Sequence, residues 1–246
     1  MELSGHLALI TGAGQGIGRA CAEVFALKGA DLILFDKNPA ALTEVAGQTA
    51  RTGRQVFTRT LDLTDIDALN KAVKEVKSKG RIDILVNNAG FDRPGTVAKI
   101  STSDFLEVLS IHVVVPFTLI QLLLPDMRKA GWGRIINVSS IYALIGAKAE
   151  VAYSTAKAGV IGLTKSVAKE AGSDGVTVNT VLPGMTRTPT IEKFMADKYK
   201  QLIINNTPLG RMGEAEEIAS VIAFLSSDEA SFITGTPIPV SGGWGI

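Results

Sequence analysis

Cysteine is nearly missing from this chain of 246 residues: Cys21 stands alone. One thiol cannot close an intrachain disulfide, so no disulfide framework holds the fold, and a reducing compartment is compatible. Histidine is almost as scarce. With only His6 and His112 beside that cysteine, zinc-ligand spacing is absent and no metal site is expected. Neither sign of charge dominates: 25 basic and 24 acidic residues leave a formal net charge of +1. Nothing therefore draws the chain to nucleic acid or to an anionic membrane through its overall charge. Long hydrophobic runs are missing as well. The apolar run at 7–10 is too short for a signal-peptide core. The longest apolar region, 113–124, is broken by Pro116, Thr118 and Gln121 and falls short of the roughly 20 residues that a membrane span needs. A cytoplasmic, soluble protein is expected.

What the chain does have is 46% hydrophobic residues in short runs that alternate with helical patterns. Strands are expected at 7–10, 32–35, 56–60, 82–86, 134–138, 176–181 and 236–240. Helices are expected at 40–51, 65–78, 103–127, 151–171 and 214–225. A further helix follows the first strand, where Ile17, Cys21, Val24 and Phe25 share one face. Uninterrupted alternation of this kind is the signature of an α/β fold: one Rossmann-like, doubly wound parallel sheet of about seven strands flanked by helices. No linker divides the chain, so residues 1–246 read as one domain. The stretch 185–206 has a weak pattern and is the candidate substrate loop.

The segment TGAGQGIG at 11–18 lies between the first strand and the first helix. Its glycines permit a tight turn and a close approach of pyrophosphate to the backbone, while the helix N-terminus offers free N–H groups and a favourable dipole. Gly12, Gln15, Gly16, Ile17 and Gly18 are the candidate phosphate cradle. Asp36 ends the second strand, where a carboxylate would accept from the adenosine ribose hydroxyls. It would also exclude a ribose phosphate, since two unit charges about 4 Å apart repel by about 4 kcal/mol at an effective dielectric of 20. Lys37 is the one counter-signal. NAD is the expected cofactor.

Tyr153 and Lys157 stand four apart at the start of a helix and share a face. A free tyrosine, with a pKa near 10, is a poor base at neutral pH, and a cation alongside favours the phenolate. Ser140 lies just past the fifth strand, where a hydroxyl can bond a substrate oxygen as charge develops on it.

Here the chain resembles the short-chain dehydrogenase/reductase family over nearly its whole length. The matching segments are TGAGQGIG, Asp62-Leu63, NNAG (87–90), NVSS (137–140), YSTAK (153–157), the stretch from Pro183 and Gly184 to Thr188, PLGRMG (208–213), and ITG with GG (233–235, 242–243). The resemblance implies that Tyr153 is the general acid/base, that Ser140 polarises the substrate oxygen, and that Lys157 binds the nicotinamide ribose and depresses the Tyr153 pKa. It places Asp62 and Leu63 at the adenine, and Asn88, Ala89, Gly90, Pro183, Gly184, Thr186 and Thr188 along the cofactor cleft, with Thr188 at the carboxamide. It also implies a homotetramer built on two long central helices.

Two positions depart from the family pattern. His112 stands where an Asn of the proton relay is usual, and Ser241 replaces an Asp before the C-terminal Gly-Gly. His112 is carried forward as a fourth catalytic candidate. Pro116 has no N–H to give the His112 carbonyl, so a bend is expected there. The resulting expectation is an NAD-dependent oxidoreductase that moves a hydride between nicotinamide and a secondary alcohol or ketone, a small-molecule substrate. The alternatives are an NADPH-dependent reductase of 3-oxoacyl thioesters and, in another class, a dinucleotide-binding regulator with an idle site. Arg93, Lys148 and Arg187, all in segments expected at the site mouth, raise a further expectation of an anionic substrate.

Overall fold

The computed structural model describes residues 2–245, apart from the side chain of Phe194. The first half winds as β1 (Leu7–Thr11), α1 (Gly16–Leu27), β2 (Asp31–Asp36), α2 (Pro39–Ala50), β3 (Val56–Thr60) and α3 (Ile66–Val76). The second continues with β4 (Ile84–Asn87), α4 (Thr102–Leu109), a π turn (Ser110–Val114), α5 (Val115–Ala130), β5 (Gly133–Val138), α6 (Tyr142–Ile145), α7 (Val151–Ala171) and β6 (Val176–Pro183). It closes with β7 (Thr186–Arg187), α8 (Pro189–Phe194), α9 (Asp197–Asn205), β8 (Gly213–Glu214), α10 (Ala215–Leu225) and β9 (Pro237–Val240).

Seven strands form one sheet in the order β3-β2-β1-β4-β5-β6-β9, and every pair is parallel. Successive side chains of a strand point to opposite faces, and the two cores follow that rule. Ala8, Ile10, Leu32, Leu34, Ile84 and Val86 pack beneath α1, α2 and α10. Leu9, Ile33, Phe35, Leu85 and Ile135 pack beneath α3, α5 and α7. Burial on both faces is why these strands read as continuous apolar runs. The winding reverses between β1 and β4, which opens a crevice beyond their C-terminal ends.

Caps set the helix starts. Asn38 accepts from the Ala40 and Ala41 amides ahead of Pro39, and Asp65 accepts from Ala68, each satisfying N–H groups that a first turn leaves open.

Three expectations are corrected and a fourth takes a specific form. The fourth strand starts at Ile84 instead of residue 82. Ahead of it the Asp83 carboxylate accepts from the Leu7 amide at 3.0 Å, holding the turn. The stretch 185–206 is not one irregular loop: it holds β7, α8 and α9, capped by Thr188 but too short to show a period. The long helix runs from Thr102 to Ala130, long and apolar enough by composition to cross a membrane, yet more than half of that apolar window is buried. Leu119, Ile120, Leu123 and Met127 lie in the α3-side core, so the length serves packing on the sheet. The irregularity expected at Pro116 takes the form of the π turn just ahead of it, in which the Val115 amide reaches back to the Ser110 carbonyl. Inserting one residue into the ladder is a common way to absorb such a mismatch and occurs often at functional sites.

Candidate active site

The glycine loop is shaped by contacts that leave no room for side chains. Gly12 has φ +64°, and a Cβ there would lie 2.8 Å from the Ala89 Cα. A Cβ on Gly14 would lie 2.9 Å from Asp36 Oδ2, and one on Gly18 would overlap the Gly12 carbonyl. The loop therefore presses against the ends of β2 and β4 and leaves the N-terminus of α1 open, a cradle that fits a dinucleotide pyrophosphate. Gln15 is exposed and Ile17 packs inward from the first turn of α1. Asn88 braces this loop from β4. Its Nδ2 donates to the Thr11 and Gly12 carbonyls at 3.0 and 3.2 Å. Thr11 Oγ1 accepts from the Asn88 and Ala89 amides at 3.0 and 3.1 Å.

Asp36 sits at the rim of the cradle. Its Oδ2 accepts from the Gly14 amide at 2.8 Å and its Oδ1 from the Asn38 amide at 2.9 Å. Asp62 is exposed across the cleft, and two bonds from Thr64 hold its carboxyl below the usual range, helped by the Lys37 charge. The Leu63 side chain is turned into the α3-side core, so only its backbone remains for an adenine. Thr188 lies over the loop, since a Cβ on Gly16 would meet its Cγ2 at 3.2 Å. Its hydroxyl accepts from Ile191 at the head of α8. Pro183 accepts from the Ile141 amide at 3.0 Å, while the Gly184 amide donates to the Val240 carbonyl. Thr186 is buried and donates to the Gly184 carbonyl at 3.1 Å. Ser241 stands against Gly184, which has no room for a Cβ.

Ser140, Tyr153 and Lys157 are brought together by a buried polar chain beneath α7. Asn87 donates to Asn137 at 2.8 Å, Asn137 to Thr164 at 2.8 Å, and Thr180 to Thr164 at 2.6 Å. The chain ties β4, β5 and β6 to α7. Ser139 Oγ donates to the Lys157 carbonyl, and Lys157 Nζ donates to the Val138 carbonyl, both at 2.7 Å. The ammonium stands 5.4 Å from the centre of the Tyr153 ring. Burial pulls the Lys157 pKa down to about 7. Burial also pushes the Tyr153 phenol up, with Ser140 opposing that shift and Asp92 and Glu150 adding to it. The expected lowering of the phenol by Lys157 is not found: Lys157 is not among the groups that shift it, and desolvation disfavours both charged forms.

His112 is buried against Tyr153, ring edge to face at 5.4 Å. Its Nε2 lies 2.9 Å from the Phe91 carbonyl, an acceptor, so Nε2 carries the hydrogen and Nδ1 is left as an acceptor. Burial first, and then the Lys157 charge, hold it well below the usual histidine range, so the ring is neutral. The imidazole fits because Gly90 has no side chain: a Cβ there would overlap it.

Four further residues neighbour this centre; Asp92, Tyr142 and Glu150 lie in the segments expected at the site mouth, and only Trp244 lies outside them. Asp92 and Glu150 face each other near Tyr153, and Tyr142 and Trp244 carry a line of rings outward from it. Each lies in a loop or short turn with no period to reveal it. Of the cations expected at the mouth, Arg93 pairs with Glu107 at 3.1 Å, and Arg187 pairs with Glu192 and Glu214 at 2.9 and 3.1 Å. Both are thus engaged elsewhere.

Residues 12–245 match the family model described as enoyl-(acyl carrier protein) reductase. The chain belongs to the short-chain dehydrogenase/reductase family. As a member it is an oxidoreductase of alcohol or ketone carbons that binds a nicotinamide dinucleotide. It is 39% identical over 244 residues to the 3-oxoacyl-(acyl-carrier-protein) reductase of Thermotoga maritima, covering 99% of each chain. Among solved structures it is similar to a 7α-hydroxysteroid dehydrogenase complexed with NADH and 7-oxo glycochenodeoxycholic acid. The TM-score is 0.95 at 33% identity, over 99% of this chain and 95% of that one. A Beutenbergia cavernae protein described as an NAD(P)-dependent gluconate 5-dehydrogenase, with NADP bound at low occupancy, has a TM-score of 0.93 at 32% identity, over 99% and 98%.

Proposed function

We propose that this short-chain dehydrogenase/reductase is an NAD-preferring dehydrogenase of secondary alcohols, working as a cytoplasmic homotetramer. The observation that carries the cofactor choice is the Asp36 carboxylate on the Gly14 amide. It occupies the place beside the glycine loop where a ribose 2′-phosphate would have to be received, and it repels such a phosphate. Gly12 to Gly18 would hold the pyrophosphate, Asp36 the adenosine ribose, Asp62 and the Leu63 backbone the adenine, and Lys157 and Thr188 the nicotinamide end. When bound, the dinucleotide supplies the hydride acceptor or donor and, in its oxidised form, a positive charge.

Tyr153 takes the hydroxyl proton in oxidation and returns it in reduction, while Ser140 donates a hydrogen bond to the same oxygen. Acid/base help of this kind is worth about 10²–10⁴-fold. Lys157, anchored on Val138, favours the phenolate when protonated, opposing the burial that raises it. His112 is assigned a positioning role through Phe91, with Nδ1 as the acceptor that succeeds the usual Asn.

The test of the cofactor assignment is kcat/KM for NAD and NADP. The wild type should prefer NAD by at least about tenfold, and Asp36→Ala should narrow the ratio. Equal use of both by the wild type would refute the argument. The 39% identity to a 3-oxoacyl thioester reductase favours a second reading, NADPH-dependent reduction of acyl thioesters. Faster turnover of an acetoacetyl thioester with NADPH than of any alcohol with NAD would establish it.

A further inference from the structure

The catalytic groups fix where the reacting oxygen of the substrate sits. Beside them lie two features that the reaction itself does not use. The first is the Asp92–Glu150 pair. The loop after β4 and the turn before α7 are stitched together where the Gly95 amide donates to the Ala149 carbonyl at 2.7 Å and Gly95 bridges Glu150. Ala149 takes φ +64° to make this approach, a conformation uncommon for a residue with a Cβ. The stitch sets the Asp92 and Glu150 carboxyls side chain to side chain. Asp92 Oδ1 and Glu150 Oε2 are both shut off from solvent, and neither has a hydrogen-bond donor among the described residues. One proton held between them satisfies both atoms and leaves the pair with one negative charge. Burial and Asp92 together raise Glu150 to about 8, in keeping with that shared proton.

The second feature is aromatic. Trp244 meets Tyr142 ring edge to face at 5.4 Å, and Tyr142 meets Tyr153 at 6.5 Å. All three rings are half-buried. Tyr142 also feels the charges of Glu150 and Asp92, as Tyr153 does, so the aromatic line and the carboxyl pair both lie beside Tyr153.

We infer that the substrate of this site is a neutral, ring-shaped polyhydroxylated compound, a cyclic polyol or sugar, oxidised at one carbinol while a neighbouring hydroxyl donates to the Asp92–Glu150 pair. The inference rests on the oxidoreductase reading of the same site and narrows it. Carboxyls accept hydrogen bonds from hydroxyls and repel anions, and bonds to charged groups are worth more than neutral ones. Aromatic rings receive the apolar C–H face of a ring. A flexible acyl chain uses neither the acceptors nor the aromatic faces, and an anionic substrate meets a like charge.

The test compares kcat/KM with NAD for cyclohexanol, cis- and trans-cyclohexane-1,2-diol, myo-inositol and 2-hydroxycyclohexanecarboxylate. A hydrogen bond to a charged acceptor predicts at least one diol favoured over cyclohexanol by about tenfold or more, with the carboxylate below both. Glu150→Gln and Asp92→Asn should each pull the diol-to-cyclohexanol ratio toward one. The ratio is taken within each variant, so a loss of folded enzyme cancels. Trp244→Ala should raise KM for the ring diols more than for open-chain butane-2,3-diol. A wild-type ratio near one, a ratio unaltered in both carboxyl variants, or preference for the carboxylate overturns the inference while leaving the dehydrogenase reading intact. If no alcohol in the panel is oxidised, the dehydrogenase reading falls and takes this one with it.

Discussion

In the proposed mechanism Tyr153 carries the proton chemistry, and its surroundings pull it two ways. Burial and the Asp92–Glu150 pair hold the phenol protonated, while Ser140 favours the phenolate. Tyr153→Phe keeps the ring against His112 and Tyr142 but removes the proton. Turnover should fall to less than about a tenth of wild type, while NADH binding by fluorescence titration stays near the wild-type value. Activity well above that level would show the tyrosine to be misassigned. Glu150 makes a separate prediction for stability. Its folded-state value, raised to about 8 from 4.5 by burial and Asp92, means that the folded protein binds more protons than the unfolded chain between those values. Stability must then fall as pH rises through that window. The Tm of the wild type should therefore decline relative to that of Glu150→Gln on going from acid to mildly alkaline pH. Parallel Tm curves would show that the carboxyl does not hold its proton.

At the scale of elements, the π turn and Gly90 work as a unit. The turn lies where Pro116 withholds a donor, and it carries His112 into the space that Gly90 leaves open. Gly90→Ala should force the imidazole out at a cost of about 1–3 kcal/mol, the usual size of core overpacking. The same change in a His112→Ala background should cost much less. Chemical denaturation of the two single variants and the double variant measures this coupling, and additive effects would mean that the two residues do not share the space. His112→Asn should keep more activity than His112→Leu, since only the former retains polar groups for Phe91 and for a proton path.

The whole molecule leaves an apolar stripe uncovered. Leu106, Val114 and Phe117 on the long helix are 56%, 45% and 49% exposed, far more than apolar residues around a core. On the neighbouring α7, small residues such as Ala158, Gly159 and Gly162 also face outward, which permits close helix–helix approach. The stripe suits the proposed tetramer contact. Phe117→Glu should lower the molar mass seen by light scattering to that of a dimer or monomer, and an unchanged tetramer would place the contact elsewhere. Wild type measured as a monomer would remove the tetramer altogether.

Much of this was legible in the residues because the signals are local. Strand–helix alternation follows from burial of each strand on both faces, and the glycine loop, Asp36, Ser140 and the Tyr153–Lys157 spacing each lie within one short segment. Those patterns determined the fold class and the reaction chemistry. Other features depend on what distant segments do to one another. Asp92 and Glu150 are joined only by the stitch between two loops, and Trp244 reaches Tyr142 from the far end of the chain. Leu63 faces the core instead of the cleft, and the Tyr153 phenol is governed by desolvation more than by its helical neighbour. Desolvation and cross-loop contact are properties of the packed molecule: no window of sequence contains both partners, so only the tertiary structure could decide them.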